Sequence, residues 1–164
     1  VTFSDMVLWQ LNNGGCIQMS WGGAMAADVA IRRVDILHAE WNNSEINRGV
    51  LSCVGDKYEA GKTGYLRNWV IEDLVTETAV PLVFRISPHP FSPCPIHGLT
   101  LRDWNVRMNT EIGFKNYITG NDPKEKFDGF VFDNVTINGT RLTAANWMSA
   151  GNFEVANLET PVFE

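Results

Sequence analysis

The feature that most constrains the fold of this sequence is a short apolar frame that recurs along the chain. Four segments carry it: VAIRRVDIL from Val29, YLRNWVIEDL from Tyr65, GLTLRDWNVR from Gly98 and GFVFDNVTING from Gly129. Three of them follow the order apolar-x-apolar-x-x-apolar-x-apolar, and the Tyr65 copy follows it more loosely. The two-residue alternation predicts a β-strand in each half of the frame, and the extra polar residue in the middle predicts a bend.

Short strands with one bend per unit, repeated at roughly 30 residues, are typical of a β-sandwich or a coiled solenoid. Other strands are predicted at MVLWQ, CIQMSW, GVLSCVG, PLVFRIS and NFEVAN, and no window has the pattern of a three-turn amphipathic helix. A sandwich favours two-residue hairpins, and Asn138-Gly139 is the best of the few such turns here. The sequence therefore predicts one all-β domain over residues 1–164, a right-handed parallel β-helix, with loops at SPHPFSPCPIHG and GNDPKEKFDG.

Charge and hydropathy exclude two classes of partner. The net charge is −6 and the 13 basic residues are scattered, whereas a nucleic-acid-binding protein needs a basic stripe to neutralise phosphates. No apolar run approaches the roughly 18 residues of a membrane-spanning helix. We therefore expect neither a nucleic-acid nor a membrane partner. The first residues lack the features of a signal peptide, which leaves the location open because a leader can be removed.

Three cysteines, Cys16, Cys53 and Cys94, are too few and odd in number for a disulfide scaffold. A single bonded pair stays open, and three small buried thiols are the favoured interpretation. His89, Cys94 and His97 have the spacing H-x4-C-x2-H, which superficially invites zinc. Structural zinc usually has four ligands in paired short spacings. The interleaved prolines favour a stiff surface loop instead, so no metal site and no cofactor are predicted.

Aromatic residues and asparagines are frequent, with six Trp and nine Phe in the chain. Aromatic faces beside amide side chains suit carbohydrate, because a sugar offers C–H patches for stacking and hydroxyl groups for hydrogen bonds. The alternative is that the aromatic residues fill the core and Asn occupies turns, where it tolerates left-handed backbone. The alternative is favoured for most of these residues.

An ordered series of segments resembles one carbohydrate-active family. VLWQLNNGGCIQMSWGG followed by VAIRRVDILHAEW is similar to a Trp-centred strand, an Ile-Gln-Met-Gly-Trp segment and a Val-Ile-His segment in the β-helix domain of glycoside hydrolase family 49, the dextranases and isopullulanases. PLVFRISP from Pro81 resembles that family's Leu-Phe-Arg-Ile-Thr-Pro segment, and NGTRLTAANW resembles its closing coils. Ser20 stands where the family has Gly, and the loop from Gly120 is poorly matched.

The resemblance implies a parent enzyme that hydrolyses α-glucosidic bonds with inversion, outside the cell. Inversion needs a carboxylic acid and a carboxylate about 6.5–9.5 Å apart. In the family these aspartates, which include an adjacent Asp-Asp pair, precede the Trp-centred strand, so here they would fall before Val1. The resemblance therefore implies the C-terminal half of such a β-helix, truncated at its N-terminus. It assigns no catalytic residue to this chain, which is not expected to hydrolyse dextran or pullulan alone.

Four side chains are predicted to bind substrate if a glucan-binding cleft continues along this half: Trp21, His38, Trp41 and Arg85. By the resemblance, Trp21 and His38 match family positions on coils that follow the catalytic one, and Arg85 matches by residue. The alternative for each residue is structural. The Trp side chains would then fill the core, His38 would be hydrogen-bonded within a coil, and Arg85 would bridge a carboxylate.

Acidic residues within the chain give no convincing catalytic pair. Glu72 and Asp73 are adjacent, and strand neighbours point to opposite faces, so a solvated strand end is favoured. Asp35, Asp103 and Asp133 recur within the units at what reads as one frame position. That recurrence predicts a turn or an outward-facing ladder.

Two functions are left open by the sequence. The first is a dextranase-like β-helix that binds α-glucan weakly without hydrolysing it, and the second is a structural or interaction module without catalysis. The stretch VTFSDMVLWQL would expose unpaired strand edges beside Val1, Phe3, Met6 and Leu8 if the chain begins between coils. We therefore expect a homo-oligomer, most simply a two-fold dimer joined through this end.

Overall fold

The structure, a computed structural model, describes residues 1–10, 15–20, 25–39, 49–54, 64–87, 94–120 and 122–164. Strands account for most of the described residues, and the α-helix α1 (Trp147–Ala150) has a single turn. Within these ranges, no helix has the length and apolar character needed to cross a membrane. The all-β class predicted from the repeats is therefore confirmed.

The described strands form two sheets, and successive strands alternate between them from β1 to β9. The first sheet contains β1 (Thr2–Gln10), β3 (Met25–Ala39), β5 (Tyr65–Thr76), β7 (Ile96–Val106), β9 (Asp128–Ile137), β10 (Thr140–Arg141) and β12 (Val162–Phe163). The second contains β2 (Ile17–Ser20), β4 (Leu51–Cys53), β6 (Phe84–Ile86), β8 (Asn116–Thr119) and β11 (Phe153–Ala156). The strand order is β1-β3-β5-β7-β9-β10 with β12 beside β9, and β2-β4-β6-β8-β11. Every pairing within the two sheets is parallel except that of β9 with β10.

The antiparallel pair is the hairpin predicted at Asn138-Gly139. Asn138 has a φ of 51° and Gly139 a φ of 74°, the positive values that a tight hairpin turn requires at both central residues. Thr140 then pairs with Ile137. Asn138 also holds the neighbouring turn, because its side-chain oxygen accepts from the N–H of Met108 at 2.7 Å.

The apolar frame sets the register of the first sheet. Equivalent frame residues are direct partners on neighbouring strands and are buried: Val29, Trp69, Leu99 and Phe130; Ile31, Ile71, Leu101 and Phe132; Val34, Leu74, Trp104 and Val135. A one-residue slip would move each strand's apolar set to the opposite face. The repeats therefore stack with like positions one above another.

The loosely matched copy proves to follow the same frame from Trp69 rather than from Tyr65. Its last position is Thr76, which stands beside Ile36 in the sheet and is only 2% exposed. The Thr76 hydroxyl oxygen accepts a hydrogen bond of 2.8 Å from the backbone N–H of Arg107. This bond satisfies a buried polar group, and it explains how a polar residue replaces the fourth apolar one.

The extra polar residue at the middle of each frame has left-handed backbone. Asp5, Arg33, Asp73, Asp103 and Asn134 stand in one column across β1 to β9, with φ between 52° and 56°. Residues with short polar side chains enter this conformation more readily than others. The predicted bend is thus a left-handed corner, and it recurs at the same level in every long strand.

A second column of left-handed residues lies five positions earlier. It consists of Asp28, Asn68, Gly98 and Gly129. Asn68 Nδ2 donates to Asp28 Oδ1 at 2.9 Å. The next two positions of the column are glycines whose backbones lie close together, since an added Cβ on Gly129 would lie 3.0 Å from Gly98 backbone atoms. Each long strand from β3 to β9 therefore turns twice.

The three recurrent aspartates do not share one frame position, so that interpretation was wrong. Asp103 is a corner residue, Asp133 precedes the corner, and Asp35 lies two residues after it. Glu72 and Asp73 lie in the middle of β5 rather than at a solvated strand end. The frame itself separates these positions, since Asp133 and Asp103 occupy its first and second middle places and Asp35 lies in its second half.

The core lies between the two sheets and is rich in aromatic rings. Phe84 of β6 stacks on Trp104 of β7 with ring centroids 5.8 Å apart, and both are almost fully buried. Trp104 Nε1 donates to the carbonyl of Ile71 at 2.9 Å, so its one polar atom is satisfied. In the second sheet, the fully buried Asn116 of β8 is linked to the chain at β6, because its Oδ1 accepts from the N–H groups of Val83 and Phe84 at 2.9 and 2.8 Å.

The corner column predicts a residue-specific effect on stability. Asp73→Val should lower the free energy of unfolding by about 1–2 kcal/mol relative to Asp73→Gly, because a β-branched residue resists positive φ and glycine does not. Both variants remove the same carboxylate, so the difference between them isolates the backbone effect. Urea unfolding of the two proteins measures it, and equal midpoints would contradict a left-handed corner at residue 73.

Candidate functional site

The four side chains predicted to bind substrate do not form one described site. Trp21 and Trp41 lie outside the described residues. His38 lies near the end of β3, where its ring centroid is 5.1 Å from that of Trp9, its neighbour on β1. Arg85 lies on β6 in the second sheet, with its guanidinium 4.5 Å from the ring centre of Tyr117 on β8. The two described candidates thus stand in different sheets, each against its own aromatic partner.

A concavity lies at the N-terminal ends of β5, β7 and β9. It encloses about 650 Å³ and is open to solvent. Its floor comes from Gly64, Tyr65 and Arg67 on the β5 side, and from Pro95, His97 and Asp128 beside them. We call it the β5–β9 groove. The two described residues of the predicted set, His38 and Arg85, do not line it, and sequence reasoning named none of the residues that do.

The register of the first sheet builds the floor of the β5–β9 groove. Arg67, His97 and Asp128 are successive partners on three neighbouring strands, and all three directly precede left-handed corner residues. The corner changes the direction of the strand. The residue directly before the corner keeps its side chain on the outer side of the sheet, where it is exposed or half-buried. The same stacking that aligns the apolar frame therefore brings three polar side chains together.

The opposite wall comes from the loop predicted at GNDPKEKFDG and from the chain end. The loop contributes Pro123, Lys124, Glu125 and Lys126 to the lining of the groove. Within this loop, the backbones of Asp122 and Glu125 pair in an isolated antiparallel β-bridge. Glu159 reaches the groove because its backbone N–H donates to the carbonyl of Phe127 at 2.8 Å. Only the folded chain brings residue 159 beside residues 64–67.

Two contacts fix the floor. His97 Nδ1–H donates to Asp128 Oδ2 at 2.8 Å, which orients the imidazole and leaves Nε2 free of this bond. The Arg67 guanidinium lies over the Tyr65 ring, 4.7 Å from its centre, a cation–π contact. Both pairs are held before any ligand arrives, which limits the rotamer entropy that binding would cost.

The charges that the described residues bring to the β5–β9 groove are balanced. Among these residues, the lining contains three cationic side chains and three carboxylates: Arg67, Lys124 and Lys126, and Glu125, Asp128 and Glu159. A phosphate or nucleic-acid site would require a cationic surplus. A neutral ligand that both donates and accepts many hydrogen bonds fits this lining better than an anion or a cation does.

A second, shallower concavity of about 400 Å³ lies where β1, β3 and β5 turn. Four carboxylates line it against one cation: Asp5, Asp35, Asp73 and Glu77 against Arg33. Arg33 binds Asp5 through two hydrogen bonds of 2.6 and 2.8 Å. Asp35 Oδ1 is buried with no hydrogen-bond partner among the described residues. The acidic surplus disfavours an anionic ligand here.

Charged side chains also form a ladder on the face of the first sheet. Glu72 lies between two arginines, 2.9 Å from Arg32 and 3.5 Å from Arg102, and Arg102 Nε donates to Asp133 at 2.6 Å. The residues alternate in sign along one register column. The ladder is a stacking feature of the sheet, so Glu72 is engaged and is not a free catalytic acid.

The suggested zinc spacing does not form a metal site in the described part of the chain. His89 lies outside the described residues, Cys94 is buried in the core and His97 lines the β5–β9 groove. Among the described residues, no three His, Cys, Asp or Glu side chains are grouped as a metal ion would require. None of the three cysteines is in a disulfide, and Cys16 is only partly buried, unlike Cys53 and Cys94.

Comparison with family models, with curated proteins and with solved structures finds no match to this chain. The site is therefore interpreted from its own chemistry.

The Asp5–Arg33 pair generates a pH prediction. Hydrogen bonding from Arg33 lowers the pKa of Asp5 from 3.8 to about 2, because it favours the charged carboxylate. The pair therefore contributes stability above pH 3.8 that is lost as the pH falls through 2. An NMR titration of the Asp5 carboxyl carbon should give a pKa of about 2, and Arg33→Gln should return it toward 3.8. An unshifted Asp5 in the original protein would contradict the pair.

Proposed function

We propose that this chain is a right-handed parallel β-helix whose β5–β9 groove binds a neutral oligosaccharide of the α-glucan class without cleaving it. The alternation of parallel strands between two sheets supports the β-helix, since each long strand and the short strand that follows it then make one coil. The stacked left-handed corners support it further, because they recur at fixed levels as coils of one helix would require.

The observation that carries the sugar-binding proposal is the balance of charges among the described residues that line the groove. A sugar hydroxyl both donates and accepts, so mixed cations and carboxylates satisfy it at several points. Tyr65 adds an aromatic ring at the floor, and pockets for small ligands combine such apolar surface with a few placed polar groups. A volume of about 650 Å³ lies within the usual range for such pockets.

The choice of α-glucan rests on the resemblance to glycoside hydrolase family 49. That resemblance assigns no catalytic acid to this chain, so the proposed activity is binding alone. General acid–base catalysis contributes on the order of 10²–10⁴-fold, and hydrolysis by inversion needs two carboxyl groups with room for a water between them. Asp128 already accepts from His97, and Glu72 from the sheet arginines, so both have structural partners.

Calorimetric titration with isomalto-oligosaccharides tests the binding proposal. Saturable binding is expected, and His97→Ala should weaken it about fivefold, the effect of losing one hydrogen bond worth roughly 1 kcal/mol. His38→Ala is the matched histidine control, because His38 lies against Trp9 outside the groove. Lys124→Ala should also weaken binding, whereas Lys115→Ala, which removes an exposed lysine paired with Glu154, should not.

Three outcomes would contradict the proposal. Binding that is lost in His38→Ala and kept in His97→Ala would move the site to the substrate residues predicted from the sequence. Equal binding of cello-oligosaccharides would remove the preference for α-linkages. Saturable release of sugar by the pure protein would show that acids within the chain are catalytic.

Self-association is the second function that a specific observation favours. On β1, Phe3 is 51% exposed although its sheet partner Ile31 is buried, and Val1, Val7 and Trp9 are exposed as well. β1 has one partner strand, β3, so its other edge carries unpaired backbone groups among the described residues. Such an edge pairs readily with a second chain, and we propose that two copies join there.

Sedimentation velocity over a range of concentrations tests this self-association. A dimer is expected to form as concentration rises, and Val7→Lys should shift the equilibrium toward monomer because it places a charge on the apolar edge. Val162→Lys is the control, since Val162 is also an exposed valine but lies on β12. A monomer at every concentration, or equal effects of both variants, would overturn the dimer.

A further inference from the structure

The contact between His97 and Asp128 determines how part of the β5–β9 groove can hydrogen-bond a ligand. The two residues are direct partners on β7 and β9, and His97 Nδ1 lies 2.8 Å from Asp128 Oδ2. Both side chains are partly open to water, with 36% of the His97 side chain and 42% of the Asp128 side chain exposed. A carboxylate in contact with water is ionised at neutral pH, and it then accepts hydrogen bonds but cannot donate them. The proton of this bond therefore belongs to His97.

This bond sets the tautomer of the His97 imidazole. A neutral imidazole carries one N–H proton, so one ring nitrogen donates while the other accepts. Since Nδ1 holds the proton that points to Asp128, Nε2 carries the lone pair. His97 lines the groove, and Nε2 is the ring nitrogen that the bond to Asp128 leaves for a ligand. The neutral side chain therefore offers the groove a hydrogen-bond acceptor.

His97 differs in this respect from the charged side chains beside it. Arg67 and the loop lysines, which line the same groove, can only donate hydrogen bonds, and an ionised carboxylate can only accept them. An imidazole takes either role, depending on which nitrogen is protonated. The choice at His97 is made by its neighbour on β9.

We propose that Asp128 is a positioning residue, which holds His97 in the Nδ1–H tautomer so that Nε2 accepts a hydrogen bond from a hydroxyl group of the ligand. The inference rests on the proposed binding of a neutral oligosaccharide, and it adds the direction in which the hydrogen bond runs at His97. Asp128 acts through the imidazole and does not itself contact the ligand. A ring that is already oriented also loses less rotamer entropy on binding.

Nitrogen-15 NMR of the imidazole in the free protein tests the tautomer. Spectra are recorded at a pH of about 9, where an imidazole is uncharged, and the His97 signals are identified by their absence from His97→Ala. The proton is expected on Nδ1. In Asp128→Asn the Nδ1–H form should no longer dominate, because an amide can either accept from Nδ1–H or donate to an unprotonated Nδ1.

Asp133→Asn is the matched control for the tautomer. It makes the same change on the same strand, but Asp133 pairs with Arg102 in the charge ladder and does not line the groove. His97 should therefore keep its proton on Nδ1 in this variant. His97 and Asp128 are both half-exposed, so their substitution should leave the protein folded.

Calorimetric titration with isomaltotriose tests the link between the tautomer and binding. Asp128→Asn should weaken binding about threefold, less than the fivefold expected for His97→Ala, because a sugar hydroxyl can still accept from Nε2–H. In the His97→Ala protein, Asp128→Asn should have no further effect, since a residue that acts only through the imidazole has nothing left to act on. Asp133→Asn should bind as the original protein does.

Two results would overturn the positioning role. The first is an Nε2–H tautomer in the unsubstituted protein, and the second is an equal effect of Asp128→Asn with and without the His97 imidazole. The tautomer is measured without any ligand, so the two proposals can fail separately. An Nδ1–H tautomer in a protein that binds no isomaltotriose would confirm the role of Asp128 in orienting His97, and it would overturn the oligosaccharide together with its hydrogen bond to Nε2.

Discussion

The left-handed corner in the middle of each long strand is the constraint on which the rest of this structure depends. A strand that continued with strict two-residue alternation would send its second half to the opposite face. One residue with positive φ absorbs the extra position, so both halves keep their apolar side chains on the core side. Asp73 and Asn134 occupy this position with nearly the same φ. The corners are also in register, so neighbouring strands turn together and keep their backbone hydrogen bonds.

Stacking in register decides the composition of the core. Each apolar position lies above its equivalent on the next strand, and aromatic residues of the two sheets meet between them, as Phe84 and Trp104 do. Among the described residues, two buried polar side chains satisfy backbone groups in this core. Thr76 satisfies the N–H of Arg107, and Asn116 satisfies two N–H groups before and within β6. These residues extend the hydrogen bonding between neighbouring segments beyond the ends of the strands.

The same stacking produces the outer surfaces from which the function is inferred. Side chains beside the corners face outward. The order of charged residues along a column determines whether that column forms a charge ladder or the floor of the β5–β9 groove. Arg32, Glu72 and Arg102 alternate in sign and neutralise one another. One level earlier, Arg67, His97 and Asp128 meet a loop rich in lysine and glutamate, and a groove remains between them. The polyhydroxylated ligand that we propose suits a groove whose described lining carries three cations and three carboxylates.

The sequence by itself determined the all-β class, the strand positions of the repeats, the bend within them and the hairpin at Asn138-Gly139, because these depend on local periodicity and turn chemistry. It did not reveal that Trp69 begins the second copy, since the buried Thr76 breaks the apolar pattern and only its contact with Arg107 explains it. Nor could it place the β5–β9 groove. His97, Lys124 and Glu159 come together through parallel register and a returning chain end, and separations of that kind leave no periodic signal.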